Sequence, residues 1–195
     1  MAYESYIFDT QTVPTRDNWH DLFNGLAWLR FPRTKARLNA LQAAQISLAG
    51  VQSLRGAVRD ALTLFDENAV LLSQSLHAPV IEALKKRDWQ AAFQTHRDIL
   101  ALHPPVIFGH ALLEKLLSPY KAVTGHVFPA TTPWVFTGAQ DCAQLDADLT
   151  AQLCEASLCP KPFVPLPVLG VPGWWAANEG LDFYMDSTVF RAPRS

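Results

Sequence analysis

Proline placement constrains this chain of 195 residues more than any other feature. Only Pro14, Pro32 and Pro79 precede Pro104, and the other eleven of its fourteen prolines lie from there onward. Proline locks φ and removes a backbone donor, so long helices are allowed early and only short elements late. Helices first and a loop-rich second half are therefore expected.

Along the chain, Tyr3 to Phe8 reads as a short strand, closed by polar residues and Pro14. Thr15 or Asp17 can cap the helix that follows. From Asp17 to about Leu29 the spacing is helical, with Trp19, Leu22, Phe23, Leu26 and Leu29 on one apolar face. Phe31-Pro32 breaks this helix and starts another running through Leu38 and Leu41 toward Ile46. A third helix covers Val51 to Ala61. Ala61 to Phe65, then Asp66-Glu67-Asn68, then Val70 to Leu72 read as a β-hairpin. After Pro79 two helices follow, broken near Arg87-Asp88 with Asp88 as a cap. The second runs through Trp89, Phe93 and Leu100 and stops before Pro104-Pro105. Gly109 to Leu117 is a short helix burying Leu112, Leu113, Leu116 and Leu117. Thr124 to Phe128 is a strand, and Gln140 to Ala156 a helix built on Leu145, Leu149 and Leu153. From Pro160 the apolar, Pro-rich run is expected to pack along the domain surface. The fold class expected is α+β: one mainly helical domain over residues 1–195, with one or two short antiparallel β-hairpins and an extended C-terminal segment.

Composition narrows the function classes. A hydrophobic content of 49% with 17% charged residues suits a globular domain. The net charge of −2 offers no attraction to a phosphate backbone, so no extended nucleic-acid contact is expected. No apolar run approaches the ~18 residues of a membrane span, and the N-terminus lacks the pattern of a signal peptide. Cys142, Cys154 and Cys159 have the spacing of neither a disulfide framework nor a zinc site. A soluble, cytoplasmic protein is the expectation.

The first helix carries the most chemical information. Asp17, His20, Asp21 and Asn24 fall within an arc of about 100° opposite the apolar face, with Trp28 one turn further on. A plain solvent face carries better helix formers such as Lys, Glu and Gln. Asp17, His20 and Asp21 have the chemistry to hold a divalent cation, and His20 with a carboxylate can act as an acid/base pair. The bland alternative is carboxylates placed for the helix dipole, with His20 and Asn24 bonded to nearby backbone.

His110 and Glu114, four residues apart, can ligate a metal or form a histidine–carboxylate couple, or simply a solvent ion pair. Should their helix pack near the first, the two pairs would complete one site. Asp66, Glu67 and Asn68 read as a turn, or as carboxylates for a cation; Glu4 is another stray carboxylate. Arg30, Arg33, Lys35 and Arg37 read as a solvated face, or as an anion site at the start of the second helix. Arg16, Trp28 and Lys35 are the candidate ligand contacts. His96 is expected in the core, and His77, His103 and His126 carry no pattern. No nucleophile elbow, Cys-x-x-Cys or phosphate-binding glycine loop is present.

Four stretches carry a family resemblance: VPTRDNWHDLFNGLAWLRFPRTKARLN from Val13, DALTLFDEN from Asp60, FGHALLEKL from Phe108 and PLPVLGVPGW from Pro165. In this order they resemble the bacterial domain-of-unknown-function family DUF3025. The resemblance implies a soluble bacterial protein and brings no assigned activity, substrate or catalytic residue. Members of the family carry more residues before the Tyr3-Glu4 segment, which implies a missing N-terminal piece here.

Two functions remain open. The favoured one is a binding or interaction protein, with an unknown small molecule or protein as partner and a contact surface around Gly173-Trp174-Trp175. The alternative is a cation-assisted hydrolase of a small phosphorylated or ester-like substrate. There His20, Asp21 and Asn24 with His110 and Glu114 would be catalytic, Trp28 a wall, and His20 the proton carrier. The discriminating observation is whether the polar stripe lines a concave pocket or lies under the C-terminal segment.

Overall fold

The computed structural model describes residues 3–49, 56–134 and 139–192. Helices α1 (Tyr3–Thr10), α2 (Trp19–Arg30), α3 (Pro32–Ala49) and α4 (Ala57–Asn68) lead into strand β1 (Ala69–Ser73). Helix α5 (Ala78–Lys86), a π-helical turn at Ala91–Thr95 and α6 (Arg97–Leu102) follow. Next come β2 (Val106–Ile107), α7 (His110–Lys115), β3 (Thr124–Ala130), α8 (Ala139–Gln152), α9 (Glu155–Leu158) and β4 (Val164–Pro167). Short 3-10 turns at Val168–Gly170, Ala176–Glu179 and Leu181–Met185 complete the described chain.

The fold is α+β, and its sheet has the order β2-β1-β3-β4. β1 runs parallel to β3, with Val70 opposite Val127, while β2 and β4 flank them antiparallel. All five residues of β1 are buried, as in a central strand covered on both faces. Alternate side chains feed two separate cores. Ala69, Leu71 and Phe128 join Leu38, Phe65, Leu145 and Leu149 from α3, α4 and α8. Val70, Leu72 and Val127 join Leu84, Phe93, Leu100, Leu169, Phe183 and Phe190 on the other side.

Several expected elements differ, each for a physical reason. Tyr3 to Phe8 is a helix with Ile7 buried, and Thr10 Oγ1 donates back to the Tyr6 carbonyl at 2.8 Å. A helix satisfies its backbone within itself, whereas a strand needs a neighbour. The hairpin at Ala61 to Leu72 is absent, because Ala61, Leu62 and Phe65 are fully buried along one helical face of α4. Asp66, Glu67 and Asn68 therefore form the last turn of α4. Of the helix expected over Val51 to Ala61, residues 51–55 lie outside the described residues. In α7 Leu112 is fully buried, but Leu117 is half-exposed beyond the helix end.

Other expectations hold. α5 ends at Arg87 in the left-handed region, φ 54°, and Asp88 Oδ1 accepts the Ala91 N–H at 2.9 Å. β3 and α8 form where expected, with Leu145, Leu149 and Leu153 buried.

The orientation of α2 reverses the sequence expectation. Its apolar residues face outward, with Trp19 59% and Leu29 81% exposed, while Asp21 and Asn24 are only 6% and 7% exposed. Of the polar stripe, Asp21 and Asn24 are buried and His20 is half-buried, while Asp17 stays exposed. No helix among the described residues is long and apolar enough to cross a membrane.

Candidate functional site

The buried part of the α2 stripe meets polar faces of α3 and α4. Lys35, Asn39 and Gln42 recur at i, i+4 and i+7 along α3, and Thr63, Asp66 and Glu67 at i, i+3 and i+4 along α4, so each set shares one side of its helix. Together with Tyr3, Glu4, Arg16, His20, Asp21, Asn24, Trp28 and His110 they line a cavity of about 510 Å³. No residue after His110 lines it, so the stripe faces a concave pocket and not the C-terminal segment.

Each buried polar group of α2 has a partner, which makes its burial tolerable. Asn18, and neither Thr15 nor Asp17, caps α2, its side chain accepting the Asp21 N–H at 2.8 Å. Asp21 accepts the Arg16 backbone N–H at 2.6 Å and its Nε–H at 3.0 Å. Those Arg16 bonds hold the Asp21 carboxyl below the ordinary carboxylate range. Asn24 Oδ1 accepts from Lys35 Nζ at 2.8 Å, and Asn24 Nδ2 reaches the Tyr3 hydroxyl at 3.4 Å.

Lys35 is 3% exposed, and Nζ also donates to Asp66 Oδ1 at 2.5 Å. The ammonium lies 5.6 Å from the centre of the Trp28 ring, within cation–π range. The basic face expected around Phe31 is thus dispersed. Lys35 turns inward, Arg30 reaches Cys142 Sγ and Arg37 donates to the Leu153 carbonyl. The anion site expected at the start of α3 is filled by the chain itself, since Asp146 accepts the Arg33 and Thr34 N–H groups at 3.0 and 2.8 Å.

α7 packs beside α2 and α4, and Gly109 permits the approach. A Cβ at Gly109 would overlap the backbone of Glu67 and Asn68. Gly109→Ala is expected to cost about 1–3 kcal/mol by overpacking, read as a lower urea midpoint; an unchanged midpoint counts against the close approach. This approach sets His110 Nδ1 2.8 Å from the Asp66 carbonyl, to which it donates. His110 Nε2 lies 3.2 Å from His20 Nε2, and His20 Nδ1 lies 2.9 Å from Glu114 Oε2. The two rings meet edge to face, with centroids 4.7 Å apart.

Hydrogen-bond bookkeeping assigns the protons in this chain. Burial pushes His110 below the ordinary histidine range, which favours the neutral ring. With Nδ1–H spent on the Asp66 carbonyl, His110 Nε2 accepts, so His20 donates through Nε2–H. His20 Nδ1 faces the Glu114 carboxylate at its other nitrogen, the outer link of the chain. The arrangement links Glu114 to the cavity through two imidazoles.

A family model described as a protein of unknown function, DUF3025, matches residues 1–194. The chain belongs to the DUF3025 family. No curated protein and no solved structure matches it. In this DUF3025 chain, the first three of the four stretches quoted above supply His20, Asn24 and Lys35, then Asp66, then His110 and Glu114.

The structure therefore brings His20, His110 and Glu114 into one chain and sets Asn24, Lys35 and Trp28 beside them. Asp17 stays apart, exposed on the outer side of α2. The Asp17–His20–Asp21 metal set is not assembled, because Asp21 is committed to Arg16. Among the described residues no three His, Cys, Asp or Glu side chains converge to hold a metal ion. Trp174 and Trp175 pack partly against the second core and do not stand out as a contact surface. Sequence reasoning missed Tyr3, Asn39, Gln42 and the role of Asp66. The usable signal was that α3 and α4 also carry polar stripes at helical spacing.

Proposed function

We propose that this protein is a hydrolase of a small ester- or amide-like molecule, neutral or positively charged, acting by proton transfer through His110 and His20. The observation that carries this reading is the facing imidazole pair, 3.2 Å apart, on the wall of a cavity that also holds the buried Lys35. In this reading substrate and water part the two rings: His110 Nε2, released from the His20 Nε2–H, takes a proton from the attacking water, and that His20 N–H is given to the leaving group. Lys35, positioned by Asn24 and Asp66, stabilises negative charge on the carbonyl oxygen through its third N–H. Glu4, Asp21, Asp66 and Glu67 line the cavity against two cations, Arg16 and Lys35, which disfavours a phosphorylated substrate. Three free cysteines suit a cytoplasmic setting.

The test is a panel of neutral, cationic and phosphorylated chromogenic esters and amides. Turnover is expected with a neutral or cationic member and not with phosphorylated ones. His110→Asn should lower that turnover by about 10²–10⁴-fold with the fold intact by circular dichroism. Because burial lowers the pKa of His110, its basic form persists to lower pH. The acid limb of the rate should therefore sit below the ordinary histidine value of about 6.5. Full turnover in His110→Asn would sink the reading.

A further inference from the structure

The outward side of α2 carries a second feature that the cavity does not use. Trp19, Leu22, Leu26 and Leu29 follow one another at spacings of three, four and three, the repeat that two helices close by knobs-into-holes packing. All four are exposed, and they line a groove of about 1100 Å³ with Asp17, Gly25 and Glu114. Gly25 lies mid-helix beside this seam, where glycine is a poor helix former. A Cβ at Gly25 would meet nothing within 4 Å, so the chain's own packing gives no reason for glycine there. Close approach of a second backbone does.

The charges at the two ends of the seam say which backbone. Asp17 is exposed at its N-terminal end and Arg33 is exposed just past its C-terminal end. Neither side chain has a hydrogen-bond or ion-pair partner among the described residues. Arg16 also lines the N-terminal end but is paired with Asp21, so Asp17 is the unpaired charge there among the described residues, and Arg33, in the first turn of α3, is the unpaired charge that follows the other end. Such a surface is complementary to itself when reversed, as a two-fold interface requires.

We propose that α2 forms a homodimer interface, in which two copies pair α2 against α2 in antiparallel orientation. Trp19 packs against Leu29 of the second copy and Leu22 against Leu26, with Gly25 letting the helices approach. Asp17 comes beside Arg33 of the second copy, and the opposed helix dipoles add to the match. A parallel pair would set Asp17 against Asp17. A twelve-residue helix is only about 18 Å long, less than a standard interface needs by itself, so the pairing belongs in the micromolar range. Glu114 lines the same groove, so pairing also takes the outer end of the His20–Glu114 couple out of water.

Analytical ultracentrifugation of the full chain, from low micromolar to submillimolar, tests this. The wild type should pass from one to two chains as concentration rises. Leu22→Glu, Leu26→Glu and Gly25→Trp should each hold the protein monomeric with unchanged helicity, since none of these side chains is buried in the single chain. Asp17→Arg should weaken the dimer, and adding Arg33→Asp should restore it. A wild type that stays monomeric throughout overturns the proposal and leaves the groove to a helix of some other protein. A dimer that survives Leu22→Glu and Leu26→Glu overturns it too. A dimer indifferent to the Asp17 and Arg33 exchange overturns the antiparallel arrangement.

Discussion

Lys35→Met is expected to abolish turnover and to lower unfolding stability by about 3 kcal/mol. Met keeps the length and the stem packing of lysine, so the change removes the charge and its donors alone. Asp66, with its side chain 21% exposed, loses the ammonium that compensates it, and the buried Asn24 Oδ1 loses its donor. A partly buried carboxylate that loses its cation, beside a buried amide oxygen that loses its donor, costs more than the pair contributed, which is why single removal is severe. Lys35→Met with Asp66→Asn should therefore be more stable than Lys35→Met alone, while remaining inactive. Urea melts of the two single variants and the double variant give the coupling directly. If Lys35→Met melts like the wild type, the charge is not buried against Asp66, and the electrophilic role proposed for it falls with that contact.

That cluster also shows where the sequence was legible and where it was not. α3, α5 and α8 follow from apolar spacing, because each turns one apolar face to one core, whereas β3 sends Phe128 to one core and Val127 to the other. β1 is a continuous buried run and α4 buries Ala61, Leu62 and Phe65; short apolar runs like these fit a strand or a buried helix equally well. The reversal of α2 has a different origin. Its larger apolar stripe is on the outside, and what draws the polar stripe inward is the matching polar faces of α3 and α4. Periodicity in one segment cannot see that match. His20 and Glu114 lie 94 residues apart, so their contact depends on α7 docking beside α2, which Gly109 permits but no local pattern announces. Individual residues such as His20, Asn24 and His110 stood out by type; the pairing of Asn24 with Lys35 and of His110 with Asp66 emerges only from the packing.

Acidification should destabilise the fold in two separate windows, and the first belongs to buried histidines. His77 is fully buried; its Nδ1 accepts the Ser73 N–H at 3.1 Å and its Nε2 lies 2.6 Å from the His103 carbonyl, to which it donates. That pair of bonds holds the neutral ring, and a second proton would have to break the bond from Ser73. Burial lowers the pKa of His77, of His110 and of His126, whose Nδ1 is buried without a partner among the described residues. The sign follows from linkage: below about 6.5 the unfolded chain takes up protons that the folded chain refuses, so stability falls as pH falls. Each such histidine steepens the decline by up to about 1.4 kcal/mol per pH unit until its folded pKa is reached. The second window lies lower and belongs to carboxylates. Asp186, held down to about 2 by Thr188 and Lys121, keeps its contribution until the pH falls below the ordinary aspartate value. Urea midpoints measured from about pH 8 to 5 should therefore fall chiefly below 6.5. His77→Gln should lower stability at every pH yet flatten the slope in that interval, because it removes one of the groups that refuses a proton. A slope as steep in His77→Gln as in the wild type would mean that His77 titrates alike in the folded and unfolded chains, and that its two hydrogen bonds do not hold the ring neutral.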